Sequence, residues 1–335
     1  MSGAPHISVM RDEAVGAMEP PRGGTYIDGT FGAGGYTRAI LDSEGASVIA
    51  IDRDPAAAKT AQAFKAEFGD RFTFYAGAFS ELEAAAGSRV INGIVLDIGV
   101  SSMQLDQAAR GFSFMREGPL DMRMASAGLT AADAVNYLPH EDLIRIFQVY
   151  GEERRARRCA DFIVRARDIE PITTTDGLVE IIANALGRGG KINPATRVFQ
   201  ALRIFINDEL GELYRALLAA EQVLAPGGIL SVVSFHSLED KIVKAFLRRR
   251  AGETAGRSRY LPPDDSDVVP PSFTLGNRSA RKPGKGEVGS NVRARSAKLR
   301  VATRTHAAPW SADDEKLLPR APSLDDLANH VRRAA

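Results

Sequence analysis

The chain has 335 residues, enough for two domains, and its 44% hydrophobic and 25% charged content is ordinary for a globular protein. Its single cysteine, Cys159, excludes an intramolecular disulfide and points to a reducing compartment; no apolar run approaches the roughly 20 residues that a bilayer span needs. The net charge of +1 hides a segregation: nine Lys/Arg against Glu287 alone put +8 between Arg278 and Arg304, leaving −7 for everything else. Asp12 and Glu13, with no apolar core segment near the start, argue against a secretory signal, so a cytoplasmic location is expected.

The segment Thr25–Thr37 is the first strong signal. A short apolar run ends at Asp28, Gly29, Gly32, Gly34 and Gly35 follow within seven residues, and a helical pattern then begins. That reads as strand, tight loop and helix N-terminus, a geometry in which a ligand can sit directly on backbone N–H groups. The dinucleotide fingerprint G-x-G-x-x-G fails, because its third place, counted from Gly32, falls on Thr37. Asp28 would repel a pyrophosphate but suits an ammonium, and the helix N-terminus suits a carboxylate. An amino-acid headgroup has both, and S-adenosylmethionine (SAM) supplies one.

Further strand–helix units follow. Val48–Asp52 reads as a buried parallel strand ending in an acid 17 residues after Gly35, placed to accept the ribose hydroxyls of an adenosine. Pro55–Phe68 reads as a helix, Arg71–Tyr75 as a strand, and Phe79 can lie against an adenine face. Gly93–Asp97 is an apolar strand with Asp97 at its tip. Strands alternating with helices indicate a doubly wound α/β sheet that binds ligands at the carboxyl ends of its strands.

The segment that reads as the fifth strand, Ala225–Phe235, launched by a Pro226-Gly227-Gly228 turn, begins about 130 residues after Asp97, so roughly 100 residues are inserted. The insert reads as helical: Ala131–Tyr137 capped by Thr130 with Asp133, then His140–Val149, Glu152–Arg167 and Thr174–Leu186. Arg154, Arg155, Arg157, Arg158, Arg165 and Arg167 make the third of these basic, and together with the 278–304 segment they suggest a polyanionic partner. Helix Pro194–Leu210 carries a polar stripe of Thr196, Gln200, Arg203 and Asn207, fitted to a structural or substrate role, and helix Asp208–Leu224 follows. Methylation of an exocyclic amine needs acceptors at the N–H groups. Asp97 stands where such an acceptor belongs, in Asp97-Ile98-Gly99-Val100-Ser101-Ser102 rather than the common Asp/Asn-Pro-Pro-aromatic motif. Gln104 can reach the same pocket, and His236 is the natural proton acceptor if a second is needed.

These residues resemble one family closely, the ribosomal RNA small subunit methyltransferase H (MraW) family. The matching blocks include His6–Met10, Tyr26–Gly35, Ala50–Pro55, Leu96–Ser102, Arg110–Met124, Tyr150–Arg154, Asn193–Leu210, Leu224–Asp240 and Arg293–Arg300; Gly111-Phe112-Ser113-Phe114-Met115 and Ser234-Phe235-His236-Ser237-Leu238-Glu239-Asp240 are the most specific. The resemblance implies a Rossmann-like SAM-dependent methyltransferase sheet with an inserted α-helical domain. It also implies N4-methylation of one cytidine, position 1402, of 16S rRNA in the small ribosomal subunit. SAM contacts would fall on Gly34, Gly35, Tyr36, Asp52, Phe79, Asp97 and Gln104, with no metal and no membrane partner. Relatives often carry His where Tyr36 stands, and backbone can make that contact. The implied organisation is a methyltransferase domain over 1–105 and 208–305, a helical insertion at 106–207, and a C-terminal extension at 306–335. Methylation of a DNA amine, or a non-catalytic SAM-binding assembly factor, are the competing readings.

Overall fold

The computed structural model describes residues 8–99, 107–113, 115, 117–125, 127–188, 193–253, 269–311 and 317–334. The chain divides into two compact units, one of residues 1–99 and 210–318, the other of residues 100–209 and 319–335.

The first unit is built on a seven-stranded sheet in the order β3-β2-β1-β4-β5-β7-β6, a Rossmann-like α/β arrangement. Its strands are β1 (Gly24–Asp28), β2 (Ala46–Asp52), β3 (Phe72–Ala76), β4 (Ile91–Asp97), β5 (Leu224–Ser234), β6 (Phe273–Thr274) and β7 (Lys298–Arg304). β1 to β5 run parallel, β7 runs antiparallel to β5, and β6 antiparallel to β7. Parallel strands covered on both faces read as continuous apolar runs, as Val48-Ile49-Ala50-Ile51 and Ile94-Val95-Leu96 do, every one of them buried. The chain order reverses beside β1, where β4 pairs on the side opposite β2. That is the switch point at which such sheets leave a crevice.

Helix Pro55–Phe68 starts where local chemistry says it should. Asp54 accepts the Ala56 N–H at 3.0 Å and Pro55 occupies the first turn, where its missing donor costs nothing. The same helix sends Phe64 into an aromatic cluster, edge-on to Phe31 at 5.3 Å and tilted on Phe72 at 5.5 Å. β5 is longer than its apolar run suggests: Leu224 already pairs with Ile91, and the register slips before Ile229 pairs with Gly93, so the Pro-Gly-Gly turn bulges from a strand rather than preceding one.

In the second unit, helices Ala131–Tyr137, His140–Val149, Ala156–Arg167, Thr175–Leu186 and Thr196–Ile206 enclose a core of Val135, Ile146, Phe147, Ile163, Ile182, Val198 and Leu202. Thr130 and Asp133 form the expected capping box, and Thr174 caps the fourth helix through the Gly177 N–H. The third helix begins four residues later than its sequence suggests. Glu152 is left-handed at φ 48° and Glu153 accepts the Arg155 N–H, so the chain turns before it winds. The two helices expected across 194–224 are separated by a break. The Asn207 amide donates to the Met122 and Arg203 carbonyls and accepts from Met124 N, while Asp208 turns left-handed at φ 45°. Gln200 donates to the Tyr150 carbonyl and Arg203 forks onto Glu209 at 2.7 and 2.8 Å, so the stripe from Gln200 to Asn207 is used in internal bonds. Burial pushes the Cys159 thiol up to about 12, which keeps it neutral and unreactive. The last helix, Leu324–Ala334, is capped by Ser323 and Asp326 and buries Leu327 in this core. No helix among the described residues is long and apolar enough to cross a membrane.

Candidate functional site

The carboxyl ends of β1, β2 and β4 carry Asp28, Asp52 and Asp97, and the loop after β1 is stitched among them. Gly29 N–H donates to the Val95 carbonyl, Phe31 N–H to the Ile51 carbonyl, and the Thr30 hydroxyl accepts Asp97 N–H at 2.8 Å. The helix Gly35–Leu41 begins at Gly34, left-handed at φ 81°, where a Cβ would stand 2.4 Å from a Phe64 ring carbon. Only glycine fits there. Gly35 meets a different neighbour, since a Cβ would lie 2.1 Å from Ser8 Oγ.

That contact belongs to an N-terminal strap that sequence reasoning did not separate from the rest of its block. Ser8, Val9 and Met10 are buried; the Tyr36 hydroxyl donates to the Val9 carbonyl, and Met10 N–H donates to Glu287 at 2.6 Å. The Tyr36 side chain is therefore core, and burial beside Asp97 and Asp28 raises its phenol well above the ordinary value. A ligand contact at position 36 has only backbone to use.

The three acids have different environments. Asp28 is fully buried: its Oδ2 accepts the Thr37 hydroxyl at 2.7 Å and Thr37 N–H at 3.1 Å, and its Oδ1 accepts Thr30 N–H. The expectation that Asp28 meets a ligand ammonium is corrected, because its carboxylate organises the loop from inside. Asp52 is half-buried and accepts Gly32 N–H at 2.7 Å and Asp54 N–H at 2.8 Å, which fixes its orientation and leaves a lone pair on each oxygen. Burial raises its pKa, and those two N–H groups oppose the rise. Asp97 differs from both. Its Oδ1 is shielded from solvent and has no hydrogen-bond partner among the described residues. Desolvation, then the charges of Asp28 and Glu239, push its pKa well above the ordinary value, against the Tyr36 hydroxyl. A buried acceptor without a donor calls for an explanation, and a ligand that donates to it is one. Phe79 is half-buried at the start of a 3-10 turn, beside the Gly29 backbone. Gln104 lies outside the described residues, as do Val100, Ser101 and Ser102.

His236, expected as a proton acceptor, is placed as a helix cap. Its Nδ1 accepts Glu239 N–H at 3.4 Å at the head of helix Ser237–Arg250, while Glu239 accepts Phe235 and His236 N–H groups at 2.7 and 3.1 Å. The other nitrogen, Nε2, faces Glu239 Oε1 at 2.9 Å without hydrogen-bond alignment. Both ring nitrogens are thus turned toward the helix that the residue caps. The capping box was hidden in the sequence because His, not Ser or Thr, stands three residues before Glu239.

The basic segment is also corrected in part. Lys298 and Arg300 both reach Asp240, at 2.7 and 2.8 Å; burial pulls Asp240 upward, but these donors hold its carboxyl below the ordinary range. Arg304 is buried and donates to the carbonyls of Glu221, Ser272, Thr305 and Ala307. Those cations hold β7 in place.

The Asp28 environment gives a pH signature. Its pKa rises from 3.8 to about 6, with desolvation the largest cause. A raised folded-state pKa means that ionisation costs stability; the cost is absent below the unfolded value and complete above the folded one. Between pH 4 and pH 7, Asp28→Asn should therefore gain on the wild type by about 2 kcal/mol in urea unfolding. A pH-independent difference would show that the carboxyl is not shielded.

A family model described as the MraW methylase family matches residues 3–305. Among curated proteins, the Ribosomal RNA small subunit methyltransferase H of Maricaulis maris (strain MCS10) is 58% identical over 316 residues, covering 93% of this chain and 94% of that protein. The protein of that name from Caulobacter vibrioides (strain NA1000 / CB15N) is 55% identical over 315 residues, covering 93% and 99%. The one from Parvibaculum lavamentivorans is 52% identical over 330 residues, covering 97% of each.

Proposed function

The chain belongs to the MraW methylase family, and from that premise we propose that it methylates N4 of a single cytidine, position 1402 of 16S rRNA, in the small ribosomal subunit, using SAM. The rRNA target follows the names of its relatives. The observation that carries the cytosine-N4 reading is Asp97, a shielded carboxylate at the tip of β4 with one oxygen that has no hydrogen-bond partner among the described residues.

The donor fits the residues present. Asp52 is held by two backbone donors with lone pairs to spare for ribose hydroxyls, Phe79 offers a ring to an adenine, and the Gly34–Tyr36 backbone lies at the start of the helix that follows β1. Gln104 is assigned to the same contact set by resemblance. Bound there, SAM supplies an electrophilic methyl group on a sulfonium. Transfer would break the S–C bond, with the sulfur keeping the bonding pair, as the amine nitrogen takes the methyl. Asp97 accepts an amine N–H beforehand, drawing the lone pair out of the ring, and takes the proton released on transfer. Desolvation, then the charges of Asp28 and Glu239, raise its proton affinity, which suits a proton acceptor. His236 serves by capping the helix that follows β5 rather than as a second base. A cytoplasmic location follows from a ribosomal substrate.

The test is transfer of labelled methyl from SAM to small subunits lacking base methylation, followed by digestion and nucleoside mass analysis. N4-methylcytidine at one site is expected. Label in another nucleoside would refute the cytosine assignment, and label in DNA but not RNA would replace the substrate.

A further inference from the structure

The cations of residues 278–304 sort by what they already bond. Lys298, Arg300 and Arg304 are committed within the fold, and Arg278 pairs with Glu253 at 2.8 Å. Arg281, Lys282, Lys285 and Arg295 are exposed, and among the described residues their side chains have no bonded partner. Four like charges on one short segment repel one another unless a polyanion meets them.

Sheet register says where they stand. Asp97 pairs with Val233, Val233 with Leu299, and Leu299 bridges to Arg281. The row runs straight from the acceptor carboxylate to the first free cation. Three strand spacings of ~4.8 Å separate their backbones by about 14 Å. The segment is anchored rather than loose. Arg281 exchanges both backbone hydrogen bonds with Leu299, Glu287 holds the Met10 N–H, and Asn291 accepts the Arg293 N–H.

We propose that Arg281, Lys282, Lys285 and Arg295 form a backbone-phosphate track for the RNA strand whose target base reaches Asp97. The proposal deepens the reading of Asp97 as the acceptor site and rests on it. Exposed Lys and Arg side chains with no partner to orient them meet phosphates rather than read base edges. The track therefore sets affinity and register and leaves the choice of base to the pocket. Lys298, Arg300 and Arg304 are excluded from it.

The test uses the full chain and a labelled single-stranded RNA oligonucleotide containing the target sequence, with binding followed by anisotropy over a series of KCl concentrations. In Arg281→Ala/Lys282→Ala/Lys285→Ala/Arg295→Ala, the slope of log Kobs against log salt should shrink by about 3, at ~0.7 per phosphate contact on a single strand. KM for the RNA should rise, and binding of S-adenosylhomocysteine should persist, which reports an intact fold. Lys282→Gln/Lys285→Gln, a milder change, should lose about half of that slope. Lys59→Ala, an exposed cation on helix Pro55–Phe68, should lose none. RNA binding that persists with an unchanged slope overturns the track and leaves the proposed function standing. A slope change seen with duplex DNA and not with RNA overturns the RNA assignment. A wild type that neither binds nor methylates RNA overturns both.

Discussion

Asp97→Asn should lower kcat for methyl transfer by about 10²–10⁴-fold, the range for loss of a positioned general base, while making the folded protein more resistant to heat at pH 8. The two halves of that result have one cause. Asparagine keeps the shape of the side chain but, on the proposed mechanism, cannot take the proton released when the amine becomes methylated. It also removes a carboxyl whose ionisation the fold opposes, since desolvation and the neighbouring charges of Asp28 and Glu239 raise the pKa of Asp97. With that pKa above the unfolded value, the penalty is absent at low pH and complete once the pH exceeds the folded value. The gain in thermal midpoint should therefore vanish below pH 4 and grow as pH rises. Single-turnover rates and thermal melts across pH measure both. An unchanged kcat would remove Asp97 from the chemistry, and a loss of activity with loss of stability at pH 8 would make it a structural residue. Activity lost as stability is gained is the pattern of a site kept for function.

Arg250→Met should cost about 3–5 kcal/mol of unfolding free energy, among the largest single-residue effects in the sheet-bearing unit. Arg250 and Glu221 are both almost completely buried, with side chains 3% and 1% exposed, and their charged atoms meet at 2.8 Å. Glu221 also accepts from the Ser272 hydroxyl and from Trp310 N–H, and the Arg250 guanidinium lies over Phe246 at 4.9 Å and Trp310 at 5.0 Å. Methionine restores much of the volume but leaves a carboxylate shielded from water with only neutral donors. Neutralising the stranded partner, in Glu221→Gln/Arg250→Met, should recover most of the loss. Urea unfolding of the two single variants and the double closes the cycle. A cost below about 1 kcal/mol for Arg250→Met would show that water reaches the pair.

Local chemistry made much of this fold legible. Asp54 before Pro55, Thr130 with Asp133, and Thr174 before its helix announce helix starts whose partners lie two or three residues away. The acids at the tips of β1, β2 and β4 could be seen as a series because each closes an apolar run. Residues whose partners are distant could not be read. Nothing near Lys298 or Arg300 shows that Asp240, 58 and 60 residues away, binds both. Nor does anything near Tyr36 show that its hydroxyl serves Val9. Asp28 and Asp97 look equivalent in the sequence. Only the loop that wraps Asp28 with Thr30 and Thr37, while no described residue donates to Asp97 Oδ1, tells them apart.

The pairing of β4 with β5 has a consequence for how the protein is made. β4 is complete at Asp97, but the strand that covers its free side begins only at Leu224, after nearly the whole of the second unit. At about 5–20 residues per second, a ribosome needs on the order of ten seconds to reach it. Throughout that interval the nascent chain carries a half-built sheet whose open edge is Ile94-Val95-Leu96, while the second unit's helices from Ala131 to Ile206, contiguous in sequence, are free to form as they emerge. An unpaired apolar edge is a template for pairing with other chains. Slow translation across residues 98–223 therefore prolongs the exposure, and the yield of folded protein should depend on codon choice there and on chaperones that shield nascent strands.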